Sequence, residues 1–152
     1  MKLQKIAFAT MAIAGFATLA ASAKTEPKTV YMFGFASSFN DSTVYFTDVQ
    51  QVDSAYLTGK AKFLVSRENY SYQLRDYLEQ QGAGNRTCTV FYSPNQKKAE
   101  KQWGKLHDRY VAKPKAKKAK NGAKDDAPTP YQIKNISNGE FKFQPIAPQE
   151  EN

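Results

Sequence analysis

The stretch RTCTVFYSPNQKKAEKQWGKL, beginning at Arg86, restricts the fold more than any other part of the chain. Arg86 to Tyr92 is rich in β-branched and aromatic residues and reads as a strand. It runs directly into a helix start, where Ser93 can cap, Pro94 suits the first turn and Gln96 completes a capping box. From Pro94 to about Val111 the apolar residues recur at helical spacing. At about 100° per residue, Ala99, Trp103, Leu106 and Tyr110 share one face, while Lys97, Lys98, Lys101, Lys105 and Arg109 gather opposite. A strand that passes at once into a one-sided helix needs a sheet for that helix to cover, so the fold must mix the two element types.

The remaining segments fit this frame. TVYMFGFA (Thr29 to Ala36) and STVYFTDV (Ser42 to Val49) are both rich in β-formers and are separated by a turn-prone stretch, so they read as a hairpin or neighbouring strands. AKFLV (Ala61 to Val65) is a weaker strand. In ENYSYQLRDYLEQQG the period changes: Tyr70, Leu74, Tyr77 and Leu78 form a helical stripe, Tyr72 points away from it, and Gly82 ends the helix. Pro114 stops the second helix, and KPKAKKAKNGAKDDAPTP (113–130) follows as a lysine-rich connector. Treated as a random coil, it would span on the order of 25 Å. Beyond it, YQIKNI and EFKFQPI flank Ser137-Asn138-Gly139, a strong hairpin signal. An isolated hairpin is marginal in water, so this one is expected to dock on the domain.

The expected fold is therefore α+β: an antiparallel or mixed sheet of four to six strands, two helices on one face, and a docked C-terminal hairpin. The expected organisation is a signal peptide (1–23), the main part of one domain (24–112), the linker (113–130), the hairpin (131–146) and a disordered tail (147–152). The signal assignment rests on Lys2 and Lys5, an alanine-diluted apolar run from Ile6 to Ala21, and the triplet Ala21-Ser22-Ala23. That run is too short and too dilute for a bilayer span, which needs about 20 apolar residues. Export to the periplasm, the outer surface or the medium follows as an expectation. Removing residues 1–23 changes the formal charge from +8 to +6, since two lysines leave and no acid does.

Chemistry-bearing residues are sparse. The lone cysteine, Cys88, and the lone histidine, His107, invite a nucleophile and base pairing, but a cysteine within a β-rich run usually packs as a small apolar group. Asp41, Asp48 and Asp53 near the first strands, with Asp125 and Asp126 in the linker, offer a carboxylate pair for a small hydrolase, and solvated strand ends explain them more simply. No metal-ligand spacing, phosphate loop or hydrolase motif is present, so no cofactor, no metal and no catalytic residue is expected. The cations give the alternative to a non-enzymatic interaction protein. A polyanion could be held by Lys97, Lys98, Lys101, Lys105 and Arg109 together with Lys113, Lys115, Lys117, Lys118, Lys120 and Lys124. The simpler reading of those residues is a solvated helix face and a soluble connector.

The segments VYMFGFASSFNDSTVYFTD, YSYQLRDYL and NRTCTVFY, followed by a lysine-rich helix, resemble a group of small exported proteins of the Bacteroidota with no assigned function. The resemblance covers about Val30 to Tyr110 and implies a periplasmic or surface location, without catalytic residues. TCTVFYSPNQKKAEKQWGKL is also faintly similar to the second half of peptidoglycan-binding SPOR domains, although Tyr92-Ser93 stands where those carry glycine. Membership of the Bacteroidota would make Asp41-Ser42-Thr43 and Asp53-Ser54-Ala55 candidate O-glycosylation sites, with Ser42 and Ser54 as acceptors. The expected partner is an envelope protein or an anionic envelope glycan.

Overall fold

The structure is a computed structural model and describes residues 25–112 and 130–149. The elements follow in the order β1 (Thr25–Ser37), β2 (Thr43–Thr47), β3 (Gln50–Thr58), β4 (Phe63–Leu64), α1 (Arg67–Gln80), β5 (Thr87–Ser93), α2 (Gln96–Val111) and β6 (Gln132–Ile136). The α+β class is as expected, with a mixed, open, six-stranded sheet. Among the described residues no helix is long and apolar enough to cross a membrane.

β1 organises the sheet. On one edge it pairs antiparallel with β5, from Tyr31↔Ser93 to Ser37↔Thr87. On the other edge β2 and β3 lie end to end: Ala36 opposes both Tyr45 and Cys88, and Met32 opposes both Gln50 and Tyr92. The expected first hairpin therefore forms, and its second arm continues beyond Val49. Two irregularities interrupt that arm. At the first, the Gly34 amide donates to the Thr47 hydroxyl at 2.8 Å, which donates in turn to the Asp48 carbonyl at 3.0 Å. At the second, Asp53 and Ser54 lie where β1 has Thr29 alone, and Ser54 adopts φ 57, the left-handed conformation of the first residue of a G1-type bulge. β4 pairs with the end of β3, and β6 lies parallel to β2.

The two helices take opposite faces of the sheet, not one face as expected. Tyr70, Leu74 and Leu78 of α1 pack with Val30, Met32, Ala36 and Val90, whereas Trp103, Leu106 and Tyr110 of α2 pack with Phe35, Val44 and Phe46. Side chains alternate across a strand, so the even and odd residues of β1 serve two different cores. The α1 stripe is as read from the sequence, with Tyr72 exposed. Gly82 at φ +73 ends the helix in a Schellman arrangement: its amide reaches the Glu79 carbonyl at 3.0 Å and the Ala83 amide reaches the Leu78 carbonyl at 2.8 Å.

Two local expectations are corrected. The cap of α2 is Asn95, whose side chain accepts the Lys98 amide at 3.0 Å, because Ser93 is still in β5 and spends its hydroxyl on the Asn95 amide at 3.1 Å. The C-terminal hairpin does not form. β6 is a single strand, its partner is β2, and residues 141–149 run without a strand of their own. That segment does dock, burying Phe141 and Phe143 against α1. Tyr110 and Tyr131, which flank residues 113–129, touch with ring centroids 4.9 Å apart. The linker itself, like the signal segment and residues 150–152, lies outside the described residues.

Candidate functional site

α2 carries the most concentrated chemistry on the described surface. Its inner side is fixed by Ala99, fully buried, and by the Trp103 indole, which donates to the Thr47 carbonyl at 2.9 Å and lies 6.0 Å from the Phe46 ring. The Tyr110 ring packs tilted against Phe35 at 5.0 Å. With the helix rotation set this way, Lys97, Lys98, Lys101, Lys105 and Arg109 all point outward and are exposed. They fall within about 120° of arc and about 18 Å of helix length. Asp108 is the one acid in the same sector. Glu100 lies to the side, where it accepts from the Gln96 amide group at 2.9 Å. The ion pairs among the described residues are Lys28–Glu26, Arg75–Asp76, Arg75–Glu79 and Arg86–Asp41, and none uses a cation of α2. The other lysines expected to contact a polyanion, from Lys113 to Lys124, lie outside the described residues.

Cys88 and His107 do not meet. Cys88 belongs to β5 and packs with the core on the α1 side, while His107 stacks on Trp103 at 4.5 Å on the α2 side. The sheet stands between them, so the nucleophile and base pairing has no geometry to work with. Burial pushes the Cys88 thiol up to about 11. It should therefore resist alkylation at pH 8 and react only as the pH nears 11. Because the folded chain holds this proton more tightly than the unfolded chain, the thiol's contribution to stability should fall as pH rises between the two pKa values. Alkylation rates across a pH series check this, and fast labelling at pH 8 would contradict it.

The carboxylates are dispersed in structural roles. Asp41 accepts the Thr43 amide at 2.8 Å and pairs with Arg86 at 2.7 Å, and these bonds hold its carboxyl below the usual range. Arg86 also donates to the Thr43 carbonyl at 2.8 Å and lies over the Tyr45 ring, so this pair ties the β1–β2 turn to the start of β5. Asp53 accepts from Gln51 and Thr29, which lowers its pKa as well. Asp48 accepts the Asn138 amide at 3.2 Å. Among the described residues no cluster of histidine, cysteine and carboxylate side chains could hold a metal ion.

Ser42 is half-buried in the turn before β2, and Ser54 is exposed on the bulge of β3. Reading the sequence missed the groove of about 610 Å³ beside the N-terminal half of β1. Its walls come from residues with no shared sequence signal. Comparison with known protein families, with curated proteins and with solved structures finds no match.

Proposed function

We propose that this is an exported, non-catalytic interaction protein of the cell envelope whose binding surface is the cationic face of α2, and that its partner is an anionic envelope polymer. One observation carries the reading: five exposed cations within one sector of a helix whose opposite side is locked into the core, with no carboxylate partner among the described residues. A local excess of positive charge on a rigid support, five cations against Asp108 alone, attracts a linear polyanion by releasing its condensed counterions. Two sequence features support export, the signal-like segment 1–23 and the resemblance to exported proteins of the Bacteroidota. An envelope-protein partner would use the same face through its acidic residues.

The test is the salt dependence of binding to heparin, taken as a model polyanion. Five contacts should give a slope of log K against log salt between about −3 and −5. The variant Lys97→Gln/Lys101→Gln/Lys105→Gln should bind at least about tenfold more weakly at low salt and flatten the slope by about 2 to 3. Unchanged binding in that variant would remove α2 from the interface. Export is checked by intact mass of the protein in the envelope fraction, expected to start at Lys24.

A further inference from the structure

β1 extends beyond the strand beside it. Its pairing with β3 begins at Thr25↔Thr58, but its pairing with β5 begins only at Tyr31↔Ser93. Among the described residues, Thr25 to Val30 therefore has a neighbouring strand on one edge alone. Strand geometry identifies the groups left over. The Gly34 amide points to the β2 edge, where it meets the Thr47 hydroxyl, so by alternation Tyr31 and Phe33 direct their backbone groups at β5. Thr25, Pro27 and Thr29 then direct theirs into the space past the end of β5. Pro27 supplies a carbonyl only, whereas Thr29 supplies a donor and an acceptor.

The groove of about 610 Å³ lies along this edge and is lined by Thr29, Leu57, Pro94, Lys60 and Lys62 together with the Lys28–Glu26 pair. Leu57 and Pro94 form an apolar surface. Lys28 is engaged by Glu26 at 3.1 Å, but neither Lys60 nor Lys62 has a carboxylate partner among the described residues. Both are exposed.

We propose that this edge and groove bind an acidic peptide in extended conformation, which adds as a short strand beside Thr25–Thr29. One apolar side chain rests against Leu57 and Pro94, and neighbouring carboxylates reach Lys60 and Lys62. In strand addition the backbone bonds supply affinity and the pockets select alternate side chains, and this site offers both elements. A second copy of the chain is a poorer occupant. It would bring Lys28, Lys60 and Lys62 against their own counterparts, and its Pro27 would present no donor. The site is independent of the α2 face.

Fluorescence anisotropy on residues 24–152 tests it with a labelled peptide of alternating Glu and Val. A Lys/Val peptide and a Glu/Val peptide methylated on every backbone nitrogen serve as controls. The Glu/Val peptide should bind, and the Lys/Val control should be weaker by at least about tenfold. The methylated control, which keeps every charge and loses every donor, should also fall by at least about tenfold. Lys60→Glu/Lys62→Glu should weaken binding to a similar extent, while Lys97→Gln/Lys101→Gln/Lys105→Gln should leave it unchanged. Hydrogen exchange should show the Thr29 amide protected only with peptide present. Absence of binding up to about 1 mM, or full retention by the methylated control, would overturn the proposal. So would a dimer that protects Thr29 without peptide. The peptide-side control does not depend on any variant folding.

Discussion

Phe143→Ala should destabilise the fold by roughly 3 to 5 kcal/mol, and truncation after Glu140 should abolish a cooperative thermal transition. Phe143 is 5% exposed and Phe141 9%, and both belong to the core beneath α1. Their rings lie 4.8 Å apart, with Phe143 against Tyr70 at 6.3 Å and Phe141 against Tyr77 at 5.1 Å. The backbone of the segment is held by side chains in place of a strand. The buried Gln50 amide donates to the Phe141 carbonyl at 2.8 Å and accepts the Phe143 amide at 2.9 Å. Gln73 clamps Gln144 in the same two-bond manner, and the Tyr70 hydroxyl accepts the Ile146 amide at 3.0 Å. Removing the segment would strip Gln50 of both partners and open the core beneath α1 to water at two aromatic sites, a loss comparable with the whole stability of a small domain. Chemical denaturation checks both variants. A truncated chain that unfolds cooperatively at the parent midpoint would show that the segment is dispensable.

Gly34→Val is expected to be the most damaging single change in the sheet, costing about 3 kcal/mol or more. A Cβ at this position would lie 2.5 Å from the Leu74 Cδ2, 3.1 Å from the Phe143 Cζ and 3.4 Å from the Thr47 Cγ2. Leu74 is fully buried, so its side chain cannot move aside without displacing other core groups. The glycine is needed for close approach between sheet and helix, not for an unusual φ. A double-mutant cycle separates the two explanations. In a Leu74→Ala background, Gly34→Ala should be nearly neutral, whereas in the parent it should cost about 1 to 3 kcal/mol. Equal costs in both backgrounds would contradict the steric account.

The elements that were legible in the sequence are those with one dominant periodicity. The α1 stripe, the outward lysines of α2 and the first hairpin follow from it directly. β3 was missed because the bulge at Asp53 and Ser54 breaks its alternation, so the buried residues Val52, Ala55 and Leu57 fall out of step. The helix placement was misread for a related reason. The unbroken apolar run in VYMFGFA is the mark of a strand covered on both sides, and such a strand places helices on opposite faces. At the C-terminus, EFKFQPI has the alternation of a strand, yet its hydrogen bonds go to Gln50, Gln73 and Tyr70. Glutamine side chains that act as backbone substitutes leave no pattern in a sequence. Of the candidate site, the cations of α2 were visible at once. The separation of Cys88 from His107 was not, because strand parity decides it only when the face assigned to each helix is known.

Backbone amide NMR of residues 24–152, titrated with a heparin hexasaccharide at physiological salt, tests the α2 assignment most directly. Shift changes should concentrate on the amides of Lys97 to Arg109, around Lys97, Lys101 and Lys105, with Thr25 to Thr29 unaffected. No perturbation of α2, or changes confined to another surface, would contradict the claim that this helix face is where the protein meets its anionic partner.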